Sequence, residues 1–532
     1  MRSSSKLVVV LTALAVLGLL MAGTALASGG SLWTSAGHDV QNTRNQNTET
    51  KIDVTNVASL AVKWQFTTGG DVSATPAVDG STIYFPDYAG NLFAVDRKTG
   101  AQVWSHQISE YTGITDDVSR VTPAIVGNLL ILGDQGGYYG GSAWMMAVSK
   151  QTGNLVWKTQ VESGAFPIVT QSAVIDVSGK TPVAYVGVAS SEELWAGVFP
   201  GYVCCSFRGS VLALNASTGQ ILWKTYTLPA GTVGDSYSGA SVWGSTPVID
   251  YKRNSLYVTT GNNYSVPVSV QNCVAAANND PETVRACISP DNHFDSVMAL
   301  DLKTGAVKWA SVAIPFDSFN AACLAGFIPW LVNPQNCPAP AGPDYDFGQG
   351  PALFTVRPNG NGAPVDLLGA GQKSGQYWAF NPDTGAVVWE TQVGPGGTYG
   401  GMEWGSATDG KRIYVGIANS EHKPWALGTA GGWSALDAAT GQILWQTADP
   451  AGNMAAGAVS VANGVVYGCS LDPVGHMYGF DSATGQIKWD FASGGSCNSG
   501  AAISNGVVYW GSGYSKLGLG TPNNKVYAFS LP

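Results

Sequence analysis

The sequence predicts an all-β chain: an eight-bladed β-propeller with tryptophan-docking repeats, closed by its N- and C-terminal strands. Three observations predict it. One phrase recurs seven times, a lone tryptophan precedes the first copy, and a lone strand follows the last. The phrase is an apolar strand, a turn ending Thr-Gly, three residues and a tryptophan. It reads LFAVDRKTGAQVW to Trp104 and recurs to Trp157, Trp223, Trp309, Trp389, Trp445 and Trp489.

Alternation up to the Thr-Gly marks a half-buried strand, and the glycine supplies the positive-φ turn of a hairpin. Two shorter strand signals lie upstream of several hairpins, such as ATPAV with TIYF and STPVID with SLYVTTG. Four short strands per repeat make a propeller blade. Successive tryptophans are spaced by roughly 45 to 85 residues, so the excess falls in loops, the longest between Trp223 and Trp389. Trp64 has no hairpin of its own, and the C-terminal KVYAFSLP is a hairpin strand without its tryptophan. Pairing these ends closes an eighth blade and removes the open sheet edge. The other reading is seven blades and an unrelated strand.

Composition agrees: 12% charged residues, 10% aromatics and 68 glycines suit short strands and tight turns. A net charge of −10 without a basic cluster argues against nucleic acid or an anionic membrane as partner. Residues 1–27 carry Arg2 and Lys6, an apolar run and Ala25-Leu26-Ala27, the pattern of a cleaved signal peptide. The expected mature domain is 28–532, a single propeller secreted or periplasmic, with no stable membrane anchor. An uncleaved anchor is the other reading.

Eight cysteines in an exported chain suggest disulfides. Cys273 with Cys287 and Cys323 with Cys337 are close pairs inside the long inserts, and Cys469 could pair with Cys497. Cys204 and Cys205 are adjacent. Bridged, they form a rigid flat platform; two buried thiols or two bridges to distant partners are the other readings.

The AxDxxTGxxxW repeat resembles that of the pyrroloquinoline quinone (PQQ) dehydrogenases, the eight-bladed quinoprotein alcohol dehydrogenases. SSEELWAGVFPGYVCCSFRGSVLALN, GAGQKSGQYWAFNPDTG, GPGGTYGGMEWGSATDGKRIYV and VYWGSGY look like its polyvinyl-alcohol-dehydrogenase-like branch. The resemblance implies a cofactor on the propeller axis between Trp243 and the Cys204–Cys205 disulfide. Ser241 and Thr170 are implied hydroxyl contacts, and Arg120 pairs with a cofactor carboxylate through its planar fork. Glu192 and Asn262, with Asp346, match the ligands of a calcium ion; Glu193 is the alternative to Glu192. Glu192 and Asn262, even with Asp346, are few ligands for Ca²⁺, so metal and cofactor are expected to bind together.

For the base, AGPDYDFGQGP offers Asp344 and Asp346, and Asp346, flanked by Tyr345 and Phe347, fits better. Lys373 matches the cation that polarises the quinone. The implied reaction takes the hydroxyl proton of an alcohol to Asp346 and hydride to the quinone. Trp404 and Asn419 could cover the opposite rim. Lanthanide-using relatives have a further Asp two positions after the base, where Gly348 stands here, which favours calcium.

Three departures matter. The better-known members carry their cysteine pair before the arginine, where EYTGITDDVSR stands. A carboxylate expected near GGDVSATP is replaced by Val72, with Asp71 beside it. No haem domain follows, so electrons are expected to leave to a separate acceptor such as a cytochrome c. Two other classes remain: a non-catalytic propeller serving as an assembly scaffold, and a propeller that binds a polymer without redox chemistry.

Overall fold

The computed structural model describes residues 32–231, 235–325, 328, 330–360 and 362–532. The expected signal peptide lies outside them. Among the described residues the strands form eight antiparallel blades that follow one another along the chain, seven of them each from one stretch of sequence, and one two-stranded sheet, Ser238–Gly239 with Asn263–Ser265. The first spans Ala77–Asp79, Thr82–Pro86, Asn91–Asp96 and Gln102–Gln107. The eighth is composite: Ala61–Thr67 pairs with Lys525–Ser530, which continues to Val507–Ser512 and Ala502–Ser504. The two lone elements of the sequence are therefore halves of one blade, and no blade is left with an open seam.

The repeated phrase explains how blades join. Within each hairpin the tryptophan stands opposite an alanine, as in Ala213 with Trp223 and Ala435 with Trp445, followed by a β-bulge; Gly479 takes that place for Trp489. Trp64 obeys the same rule across the seam, opposite Ala528. The bulge re-aims the strand end so that the indole leaves its own sheet and reaches the next blade. Trp64, Trp104, Trp157, Trp223, Trp309 and Trp445 donate Nε1–H to Arg97, Lys150, Ala216, Leu302, Pro382 and Ser482 carbonyls at 2.9–3.2 Å. Trp489 closes the ring on the Leu60 carbonyl at 3.1 Å. Trp389 is the exception, its Nε1 having no acceptor among the described residues.

From Trp64 to Trp445, each indole lies against the turn glycine of the following phrase. At Gly441 an added Cβ would sit 2.4 Å from Trp389 Cε3 and 2.6 Å from Thr391 Oγ1, at a φ of +75°. Gly441→Ala is expected to destabilise by about 3 kcal/mol, from left-handed strain plus overpacking. The check is a lower denaturation midpoint; an unchanged midpoint would mean that the blade contact is not tight.

The first strands of neighbouring blades touch around the axis, for instance Ala124–Val126 against Ala77–Asp79 and Val174–Asp176, and Val248–Asp250 against Ala352–Val356. Apolar clusters fill the wedges between blades: Tyr185 and Val211 meet Ile249, Leu256 and Met298. The chain enters each first strand at the end where it leaves the second. Arg120, Thr170, Trp243, Asp346 and Trp404 each precede a first strand; Glu192, Asn262 and Lys373 each follow a second. That topology gathers eight distant positions at one end of the axis.

Among the described residues the longest helix is Val268–Ala276, in an insert. Disulfides Cys273–Cys287 and Cys323–Cys337 staple the inserts, and Cys469–Cys497 joins the last two blades. Among the described residues no helix is long and apolar enough to cross a membrane.

Candidate active site

Asp346 is 3% exposed, and both of its oxygens are engaged. Oδ1 accepts from the Asn262 backbone N–H at 2.6 Å; Oδ2 accepts from Trp243 Nε1–H at 2.8 Å and from Lys373 Nζ at 3.4 Å. Gly261 permits the approach, since a Cβ there would stand 2.8 Å from the carboxylate. Lys373 also donates to Asp344 Oδ1 at 2.9 Å, and its backbone N–H to the Asp346 carbonyl at 2.9 Å. Burial alone would lower the Lys373 ammonium, but Asp344, Asp346, Glu193 and Glu403 hold it well above its ordinary value. Asp344 is pushed well above the carboxylate range, by burial first and then by Glu193 and Asp346 against the opposing Lys373.

Three more of the expected residues, Trp404, Arg120 and Thr170, adjoin this centre. The Lys373 ammonium lies 5.5 Å from the Trp243 ring centre. Trp404 meets Trp243 edge to face at 5.4 Å, and the Arg120 guanidinium lies over Trp404 at 4.2 Å. Arg120, Thr170 and Trp404 line a cavity of about 60 Å³ together with Thr75, Thr122 and Ser245. Thr170 Oγ1 is buried there without a partner among the described residues.

Asn262 donates Nδ2 to the Phe319 carbonyl at 2.9 Å, and its buried Oδ1 has no partner among the described residues. A buried acceptor left free costs stability unless a ligand fills it. A hard cation suits it, next to the carboxylate of Asp346. Among the described residues no three His, Cys, Asp or Glu side chains make a metal cage by themselves, so a cation would depend on the Asn262 amide and on ligand oxygens. The donor set therefore fits the cofactor–metal pair that the sequence suggested.

The two glutamates are divided by the helix Glu192–Val198. Glu192 is buried and turned to the cysteine loop, accepting from Tyr202 OH at 2.5 Å, Ser206 N at 2.9 Å and Phe207 N at 2.8 Å. It clamps the segment carrying the Cys204–Cys205 disulfide. Glu193 instead feels the active centre: burial raises it to about 8, and Asp346 adds to the rise while Lys373 opposes it. Consecutive helix residues point about 100° apart, and only one can face the axis.

Other expected residues have their polar atoms engaged elsewhere. Ser241 Oγ is paired with Tyr264 OH at 2.5 Å, inside the layer where Tyr264 stacks on Phe207. Asn320 Nδ2 lies 3.7 Å from Cys204 Sγ and donates to the Tyr264 carbonyl at 2.9 Å, tying the disulfide to that layer. Asn419 spends its amide on the Lys423, Thr429 and Ala430 carbonyls of its own loop. Asp71 accepts from Ser515 and Asn523 and so joins the composite blade to the first.

Sequence reasoning passed over Glu403 and Asp317. Asp317 accepts from the Asp344 and Tyr345 backbones at 3.1 and 2.6 Å, fixing the loop that carries Asp346; burial raises it to about 6. Burial raises Glu403 to about 7. Because Glu193, Glu403 and Asp317 keep protons in the fold that they lose in the unfolded chain, stability falls as pH rises from the ordinary carboxylate range to about 8. Lys373, held above its ordinary value, acts outside that window. The cofactor-free protein is expected to melt higher at pH 5.5 than at pH 8.5, by circular dichroism; the opposite order would contradict the burial of these acids.

The PQQ_2 family model, described as outer membrane protein assembly factor BamB, matches residues 22–311 and 373–531. The chain belongs to the PQQ_2 family. The stretch between the two matches, 312–372, is the one that bears Asp317, Asp344 and Asp346. Over 527 residues the chain is 29% identical to the polyvinylalcohol dehydrogenase of Sphingopyxis sp. (strain 113P3), covering 90% of this chain and 73% of that one. It is 28% identical over 545 residues to a polyvinylalcohol dehydrogenase of Pseudomonas sp, covering 94% and 77%. These homologues place it with the oxidoreductases of the quinoprotein alcohol dehydrogenase kind. Two solved structures share its fold at 16% identity: the quinohemoprotein alcohol dehydrogenase from Comamonas testosteroni, with a TM-score of 0.67 over 94% of this chain and 80% of that one, and a europium-containing methanol dehydrogenase, with 0.66 over 94% and 98%.

Proposed function

We propose that this protein oxidises an alcohol with PQQ and Ca²⁺, passing electrons to a separate carrier outside the cytoplasm after removal of residues 1–27. One observation supports it above the others: the buried Asp346 carboxylate is held by Trp243, Asn262 and Lys373, beside an Asn262 Oδ1 that has no hydrogen-bond partner among the described residues. The cofactor, when bound, supplies the hydride acceptor. Asp346 accepts the hydroxyl proton, its lone pairs directed by Trp243 Nε1–H and the Asn262 N–H. Lys373 supplies positive charge where negative charge develops, in a buried site where that charge counts for more than in water. Arg120 and Thr170 offer a fork and a hydroxyl to cofactor oxygens, and Trp243, Trp404 and the Cys204–Cys205 pair offer flat apolar surface. Asn262, Asp346 and Glu193 are the proposed cation ligands, with Glu193 in the place first given to Glu192. Glu193→Gln is then expected to weaken Ca²⁺ binding about 10-fold or more, by calorimetry, and Glu192→Gln to loosen the cysteine loop with little effect on Ca²⁺. The reverse pattern would restore Glu192 as the ligand.

Polymeric secondary alcohols such as polyvinyl alcohol are the proposed substrate class, on the strength of the two polyvinylalcohol dehydrogenases that the chain resembles. The test is reduction of an artificial dye by the purified protein given PQQ, Ca²⁺ and a panel of primary, secondary and polymeric alcohols. Turnover with secondary alcohols supports the reading, and absence of both cofactor binding and dye reduction removes it. The assembly-scaffold reading, favoured by the family description, predicts that second result.

A further inference from the structure

Glu403 lies just before the first strand Ala407–Thr408, its backbone paired with Gly348, two residues after Asp346. A Cβ on Gly348 would meet Glu403 Cγ at 3.0 Å and Trp243 Cη2 at 3.2 Å, so the glutamate and the indole fill one corner of the site. Glu403 is 4% exposed, and neither carboxyl oxygen has a partner among the described residues. The charged and titratable groups facing it are Lys373, Asp346, Arg120, Tyr399 and Tyr514. Both cations are engaged elsewhere: Lys373 bonds Asp344 and Asp346, and Arg120 lies on Trp404. A buried carboxylate without donors is costly, and a tri-carboxylate arriving beside it makes it costlier. A carboxylic acid at the same place is uncharged and has an O–H to give.

We propose that Glu403 takes up a proton from solvent as the cofactor binds, and meets it as a neutral acid donating a hydrogen bond. This rests on the cofactor reading above. Burial, which already places the Glu403 carboxyl at about 7, makes the uptake small near pH 6 and close to complete at pH 8.

The experiment is calorimetric titration of PQQ into the full-length, Ca²⁺-supplied protein at pH 6 and pH 8, in buffers of different ionisation heat. At pH 8 the wild type is expected to take up nearly one proton more than Glu403→Gln, and at pH 6 almost none. From pH 6 to pH 8 its affinity is expected to fall about 10-fold relative to that variant. Glu403→Leu, with neither charge nor donor, should match the Gln variant in proton count and bind about 10-fold more weakly. Equal proton counts in all three proteins, or a Gln variant that binds less tightly than wild type at pH 8, would overturn the proposal. Failure of the cofactor reading looks different and ends both: no heat and no quenching of tryptophan fluorescence by PQQ, even in the wild type at pH 6.

Discussion

Asp346→Asn is expected to lower dye-coupled alcohol oxidation by about 10³-fold, in the range that a positioned general base contributes, with the protein still folded. The amide cannot take the substrate proton. It also turns one acceptor oxygen into an NH₂ that faces an existing donor, either the Asn262 N–H on one side or Trp243 and Lys373 on the other. The companion Asp344→Asn separates base from neighbour. Asp344 shares Lys373, but burial and the adjacent acids favour its protonated form, so it is poorly suited to accept a proton, and its loss is expected to cost far less rate. Steady-state rates of both variants, reconstituted with PQQ and Ca²⁺, decide it. A severe Asp344→Asn beside a mild Asp346→Asn would transfer the base to Asp344.

Lys373→Met has the second large effect, and it falls on stability as well as rate. The side chains of Lys373, Asp344 and Asp346 are 9%, 3% and 4% exposed, so removing the ammonium leaves two buried carboxyls without their cation. Breaking such a pair costs about 3–5 kcal/mol, because the remaining charge is neither solvated nor matched. The loss depends on pH. Without Lys373, whose charge opposes the rise, the Asp344 carboxyl keeps its proton to higher pH, so the variant is expected to lie nearer the wild type at pH 5.5 than at pH 8. Denaturant midpoints at both values measure this. Lys373→Arg, which keeps the charge, should recover most of the stability. A deficit that is the same at both pH values would show that Lys373 acts through packing rather than charge.

The sequence analysis and the structure agree where spacing is local and periodic. Trp64 and the C-terminal strand were recognisable as a split blade because each lacks the half that the other has, and Trp64 indeed faces Ala528. The cysteine pairings were legible for the same reason: each of three pairs is close in sequence, 14, 14 and 28 residues apart. At the site the reading was less complete. Glu192 and Glu193 are neighbours in the chain but serve different surroundings, and the phase of a helix of about two turns against its neighbours is not written in two identical letters. Ser241 was expected to face a ligand, yet its hydroxyl meets Tyr264, a residue of the short strand Asn263–Ser265. Glu403 sits in GGMEWGSA beside the more conspicuous Trp404, and nothing in that stretch shows that its carboxyl lacks donors.

The sequence by itself determined the ring: repeated phrases, each with a glycine shaped to its neighbour's indole, specify blade after blade through contacts between successive repeats. Only the tertiary structure decided which polar atoms around the axis are spent and which remain free. Whether an oxygen such as that of Asn262 or Glu403 finds a donor depends on loops that are 50 to 150 residues apart in sequence. Inside the ring, burial turns that difference into chemistry, because a group without a partner there either binds something or holds its proton.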